Sequence, residues 1–121
     1  MIPQLNLSNF SAWRDSAVPE PAADALPVVL DVREPAELQA ASVRQDGFTL
    51  VHIPMREIPA RLAELQRRFG LDHPIACLCH HGVRSQQVAS YLLQNGFSEV
   101  VNLQGGIDDW SRQVDPSVAR Y

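Results

Sequence analysis

Residues Pro74–Gly96 read PIACLCHHGVRSQQVASYLLQNG, and the rest of the chain is organised around this stretch. Ile75, Ala76, Cys77 and Leu78 form a continuous apolar run of strand length, the pattern of a strand buried on both faces. The polar segment Cys79-His80-His81-Gly82-Val83-Arg84-Ser85 follows at once. Val88, Ala89, Leu92 and Leu93 then recur at helical spacing, with Ser85 as a candidate N-cap and Gly96 where a C-terminal cap belongs. A cysteine between the carboxyl end of a buried strand and a helix N-terminus lies at the edge where open α/β sheets place their chemistry. Backbone N–H groups of such a loop converge on an anion and the helix adds partial positive charge, so Cys79 is expected to serve as a thiolate nucleophile. Cys77, inside the apolar run, is expected to be a packed, neutral thiol.

Outward from this centre, strand and helix patterns alternate. Ile2–Leu7 is a short alternating run, and Ser8 is a candidate N-cap for a helix carrying Phe10 and Trp13. Ser16–Pro27 (SAVPEPAADALP) reads as a surface loop, either an inert insertion or a functional flap. Val28–Val32 is a second buried strand that ends in Asp31-Val32-Arg33-Glu34-Pro35. Pro35 fits a helical first turn, and Glu37 suits the charge of its N-terminus. Asp31 and Arg33 share the sheet edge of the Cys79 loop, where they either orient that loop or help bind an anion, or else form a fold-stabilising ion pair or loop hydrogen bonds. Phe48–Ile53 is a third strand, in which His52 is read as a packed, hydrogen-bonded histidine. Ile58-Pro59 opens a helix with Leu62 and Leu65 on one face and Gly70 as its stop. Val100 and Val101 mark a last short strand, followed by a turn over Asn102–Gly106 whose glycines permit positive φ or close backbone approach. Ile107 and Trp110 begin a short helix. Gln113–Tyr121 lacks periodicity and is expected to be a loosely attached tail.

The segment CHHGVRSQQVASYLLQNGF, with DVREPAE at 31–37, HIPMREIPARLAEL at 52–65 and VNLQGGIDDW at 101–110, resembles the rhodanese-family sulfurtransferases. The resemblance runs from about Val28 to Trp110 in the family's order. The family's Gly-His-Ile-Pro-Gly-Ala segment is replaced here by Ser42-Val43-Arg44-Gln45-Asp46-Gly47-Phe48. The resemblance implies one rhodanese-like α/β domain, residues 1–121 with a core of about 28–112 and the tail 113–121. Pattern and resemblance agree on three layers: a small, mainly parallel sheet of four or five strands with helices on both faces. The resemblance also implies a persulfide cycle on Cys79. A sulfane donor such as thiosulfate loads it, and a thiophilic acceptor (cyanide, a small thiol or a protein thiol) unloads it. His80, His81, Gly82, Val83, Arg84 and Ser85 would form the loop around the sulfur, with Asp31 and Arg33 behind it. Arg84 has a forked donor set suited to an oxyanion, and equally to an ion pair with a carboxylate.

Composition bounds the alternatives. The 121 residues suit a single core, and a formal charge of −4 without a basic run gives no footprint for nucleic acid. No apolar stretch is long enough for a membrane span, and Met1–Phe10 lacks the regions of a signal peptide, so a cytoplasmic setting is expected. Two cysteines form neither a disulfide framework nor a zinc set, and adjacent histidines point apart, so no metal or cofactor is expected. A cysteine-loop phosphatase is the rival enzyme class. Its signature has one residue more between cysteine and arginine than the four separating Cys79 from Arg84, which leaves less room for a phosphoryl group. A sulfur-relay module serving a partner protein is the other alternative.

Overall fold

The computed structural model describes residues 2–18 and 25–121. Half of the 16–27 loop, residues 19–24, lies outside the described residues. Five strands, β1 (Gln4–Asn6), β2 (Val28–Asp31), β3 (Thr49–His52), β4 (Ile75–Leu78) and β5 (Val100–Gln104), form one sheet in the order β1-β5-β4-β2-β3. Every pair is parallel, in keeping with the apolar runs of the central strands β2 and β4. β4 sits in the middle, with Cys77 opposite Leu30 on one side and Asn102 on the other.

Five α-helices cover the sheet: α1 (Phe10–Ser16), α2 (Pro35–Ala40), α3 (Ile58–Phe69), α4 (Val83–Gln94) and α5 (Gly106–Gln113). The strands' alternate residues divide between two cores. Leu30, Ile75, Cys77 and Val100 pack with Ile58 and Leu65 of α3 and Val88, Ala89 and Leu92 of α4. Val29, Ala76, Leu78 and Leu103 pack with Phe10 of α1 and Ile107 and Trp110 of α5. All four residues of β4 have no solvent exposure, which confirms the expectation of a strand buried on both faces. Phe10, Phe48 and Trp110 form an aromatic cluster in the second core, with centroids 4.6–5.7 Å apart.

Four local readings are corrected by the structure. Asn6, not Ser8, provides the cap near the start: its Oδ1 accepts from Ser8 N at 2.9 Å and begins a 3₁₀ turn ahead of α1. Ser85 lies inside α4, whose N-cap is Gly82 at φ +104°. At that positive φ the chain turns into the helix three residues earlier than a serine cap would place it. β5 continues through Gln104 because β1 pairs along it, Gln4 with Asn102 and Asn6 with Gln104, so Asn102 and Leu103 belong to the strand and not to the turn. The segment after α5 is packed and not loose. Val118 is buried in the second core, and its carbonyl accepts from Ser111 Oγ at 2.7 Å.

The turn between β5 and α5 is confined to Gly105, and Gly105 and the first helical residue, Gly106, are both at positive φ. A Cβ on Gly106 would stand 2.4 Å from the carbonyl oxygen of Cys79 and 2.5 Å from that of His80. Those are backbone atoms and cannot step aside singly. Gly106→Ala is therefore expected to cost at least about 2 kcal/mol, combining φ strain with displacement of the loop, and to lower Tm by several degrees in a thermal melt.

Candidate active site

The Cys79 loop is built by three elements. β4 delivers Cys79 at its carboxyl end. α4 begins at Val83, so its first N–H groups precede the first helical bond, Gln86 N to Gly82 O, and remain outside the helical ladder. α5 approaches from the side: Ile107 N donates to Cys79 O at 2.9 Å and Asp108 N to His80 O at 3.2 Å. The carbonyls of Cys79 and His80 are thus tied down at the back of the loop. Cys79 Sγ accepts from Gly82 N at 3.0 Å.

Ser85 Oγ lies 3.3 Å from Cys79 Sγ and 2.5 Å from Asn102 Oδ1. Asn102 Nδ2 donates to Gly82 O at 3.1 Å and to Gln4 Oε1 at 2.8 Å. The amide nitrogen's two protons are both used, so Asn102 Oδ1 is the acceptor and Ser85 the donor in the shorter contact. One buried asparagine therefore joins the edge strand, the loop glycine and the serine beside the thiol. Sequence reading placed Asn102 in a turn and missed this role, although a lone polar side chain between Val101 and Leu103 was its visible signal.

A second layer consists of charges. Arg84 Nη1 and Nη2 donate to Glu37 Oε1 and Oε2 at 2.6 and 2.8 Å, a two-pronged pair. Glu37 also accepts from Tyr121 Oη at 2.7 Å and from Glu34 N at 3.1 Å. Arg33 Nε and Nη2 contact Asp31 at 2.9 and 2.7 Å in a buried ion pair, and Arg33 Nη1 donates to Tyr121 Oη at 3.0 Å. The Tyr121 ring stacks on His80 at 3.9 Å, and its carbonyl oxygen is 2.7 Å from His80 Nε2. Of the alternatives left open for Asp31, Arg33 and Arg84, the contacts present are the ion pairs. His52 Nε2 is 2.7 Å from Arg33 O, as a packed histidine should be. Glu37 was visible in the sequence only as a helix-terminal charge, and Tyr121 carried no signal at all.

The network has electrostatic consequences. Arg84 holds the Glu37 carboxyl at about 2, against an ordinary 4.5, with Tyr121 and the Glu34 amide assisting against partial burial. The same pairing raises Arg84. Burial works against the charge of Arg33, but its bonds to Asp31 and Tyr121 more than offset this and raise its pKa. Burial, reinforced by the charge of Cys79, pushes the Cys77 thiol up. Cys77 and Cys79 belong to the same core, on one face of the sheet, and are free. His80 and His81 do not point apart as expected: their rings stack at 3.9 Å, and among the described residues no group of three metal-binding side chains is present. No helix among them is long and apolar enough to cross a membrane.

Residues 16–113, which contain this loop and all of the supports described above except Gln4, Val118 and Tyr121, match the rhodanese-like domain family. The chain belongs to the rhodanese family. A sulfurtransferase of Allochromatium vinosum is 38% identical over 92 residues, 76% of this chain and 78% of that protein. The thiosulfate sulfurtransferase GlpE of Pseudoalteromonas translucida is 34% identical over 95 residues, 77% of this chain and 81% of that protein. The crystal structure of a rhodanese-related protein from Thermoplasma volcanium superimposes with a TM-score of 0.71 at 26% identity, covering 98% of this chain and 99% of that one. The α/β rhodanese-like fold expected from the sequence is the fold of the chain.

Two measurements check the site. Because Glu37 is held at about 2 against 4.5, its stabilisation is fully present above roughly pH 5 and is lost as pH falls toward 2. The Tm difference between the unaltered protein and Glu37→Gln should be largest above pH 5 and shrink to nothing near pH 2. In a thiol count near neutral pH, a small alkylating reagent should modify one cysteine, Cys79, in the native protein and reach Cys77 only in denaturant.

Proposed function

We propose that this rhodanese-family protein is a sulfurtransferase that carries a persulfide on Cys79. The supporting observation is the seat of the sulfur: Cys79 Sγ at the end of β4, accepting from Gly82 N and facing the Ser85 hydroxyl at the start of α4. In the first half-reaction the Cys79 thiolate attacks the outer sulfur of thiosulfate or a similar sulfane donor. The donor's S–S bond breaks, its electron pair leaves with sulfite, and the new S–S bond leaves Cys79–S–S⁻. In the second half-reaction a thiophilic acceptor, such as cyanide, a small thiol or a protein thiol, takes the outer sulfur and the thiolate returns. Sulfur-borne negative charge persists through both halves, and fixed N–H donors stabilise it without changing protonation.

His80, His81, Gly82, Val83, Arg84 and Ser85 form the loop in this reading, with Asp31 and Arg33 supporting it through Tyr121 and Glu37. Two free cysteines fit a reducing setting such as the cytoplasm. The second reading, a relay module whose acceptor is another protein's thiol, uses the same persulfide and differs only in the acceptor. The phosphatase alternative is disfavoured by Arg84, which is paired with Glu37 and not directed at an anion site.

Incubation with thiosulfate should add the mass of one sulfur to Cys79, and cyanide should then release thiocyanate. Cys79→Ser retains the size but not the nucleophile, so it should fold normally and lose turnover by at least about a thousandfold, in the range that removal of a catalytic nucleophile produces. Thiocyanate formation by the serine variant at the unaltered rate would place the chemistry elsewhere. Turnover with cyanide much slower than transfer to a protein thiol would favour the relay.

A further inference from the structure

The charge layer around the loop has a consequence for the donor, given that Cys79 forms a persulfide as proposed above. We propose that Glu37, clamped by Tyr121, is a specificity-determining residue that acts through Arg84. By neutralising Arg84 it turns the site away from dianionic donors such as thiosulfate and toward sulfane sulfur carried on a singly charged or uncharged organic group.

The argument starts from charge. A thiolate attacking an anionic donor brings like charges together, so fast loading by a dianion needs an uncompensated cation at the mouth. Arg84 is the guanidinium within the loop itself, and both of its Nη groups are given to Glu37. Glu37 cannot readily swing away, because Tyr121 Oη and the Glu34 amide hold it as well. Arg33 is fully buried and paired with Asp31. His80 faces the Tyr121 carbonyl. Arg84, Arg33 and His80 are thus already committed, and His81, the other imidazole of the loop, stacks on His80. An organic carrier finds a different surface: Val83, next to Arg84, is 68% exposed and borders a shallow groove with Ile2 and Gln86.

The chemistry is the same for both donor classes. With an organic thiosulfonate, R–SO₂–S⁻, the Cys79 thiolate attacks the outer sulfur and the donor's S–S bond breaks. The electron pair leaves with the sulfinate R–SO₂⁻, and Cys79–S–S⁻ remains. Thiosulfate differs only in carrying one more negative charge and leaving as sulfite. The two therefore report on the charge of the site.

The test is rapid-mixing sulfur loading of the full chain, read by intact mass, with benzenethiosulfonate and with thiosulfate. Glu37→Gln keeps the size of the side chain, and by removing its negative charge and one of its two acceptor oxygens it frees the charge of Arg84. It should raise the second-order loading rate with thiosulfate about tenfold and with benzenethiosulfonate about threefold, since Coulomb attraction scales with donor charge. Adding Arg84→Gln should abolish both gains. Loading of the unaltered protein by thiosulfate should fall less than twofold between 50 mM and 500 mM salt, and that of Glu37→Gln steeply. An unchanged or lowered thiosulfate rate in a folded Glu37→Gln protein overturns the proposal. So does a steep salt dependence in the unaltered protein, which needs no variant. If both donors load Cys79 but the ratio does not move, only this inference falls; if neither loads it, the sulfurtransferase reading falls and takes this inference with it.

Discussion

The backbone contact between α5 and the Cys79 loop is the constraint on which the site depends. Ile107 and Asp108 donate to the carbonyls of Cys79 and His80, and they reach them because Gly106 has no side chain to hold the two segments apart. A loop of seven residues would otherwise present carbonyls and amides to the same space. With these two carbonyls bonded from behind, the loop turns an amide toward the sulfur. The chemistry of the thiol therefore follows from backbone direction, which is set by a glycine twenty-seven residues away in sequence from Cys79.

Behind this backbone cradle lie two polar systems with opposite characters. Asn102 and Ser85 form a neutral system, buried and geometrically exact, that ends on the sulfur. Glu37, Arg84, Tyr121, Arg33 and Asp31 form a charged one that ends on Arg84 and is closed on itself. Burial makes the Arg33–Asp31 pair costly to break, because either charge left alone would be unsolvated. The Arg84–Glu37 pair is half-buried and has Tyr121 as a third member. That placement lets a charge sit in the loop without presenting a net field to solvent.

Much of this was legible in the sequence, and the failures have physical reasons. The apolar runs at Val28–Leu30 and Ile75–Leu78 identified central strands correctly, since a strand covered on both faces needs them. Pro59 and Gly70 bracketed α3 because proline and glycine act locally. Where polar residues are satisfied by distant partners, local reading failed. Asn102 looked like a turn residue because its partners, Gln4 and Ser85, lie 98 and 17 positions away. Glu37 and Arg84 are 47 positions apart, and no spacing rule connects them. The segment after α5 looked structureless because its anchors, Val114, Val118 and Tyr121 among them, follow no helical or strand period.

The three-residue strand β1 carries more weight than its size suggests. It lies at the sheet edge and pairs only with β5, so its amides are among those expected to exchange with solvent through local fraying and not global unfolding. Gln4 within it accepts from Asn102, which in turn accepts from Ser85. Each opening of β1 removes one partner from a buried amide that is in contact with the serine beside the sulfur. The exchange lifetime of the N-terminal edge and the order of the thiol's surroundings are therefore coupled, although the two are separated by a strand and contain no group in common.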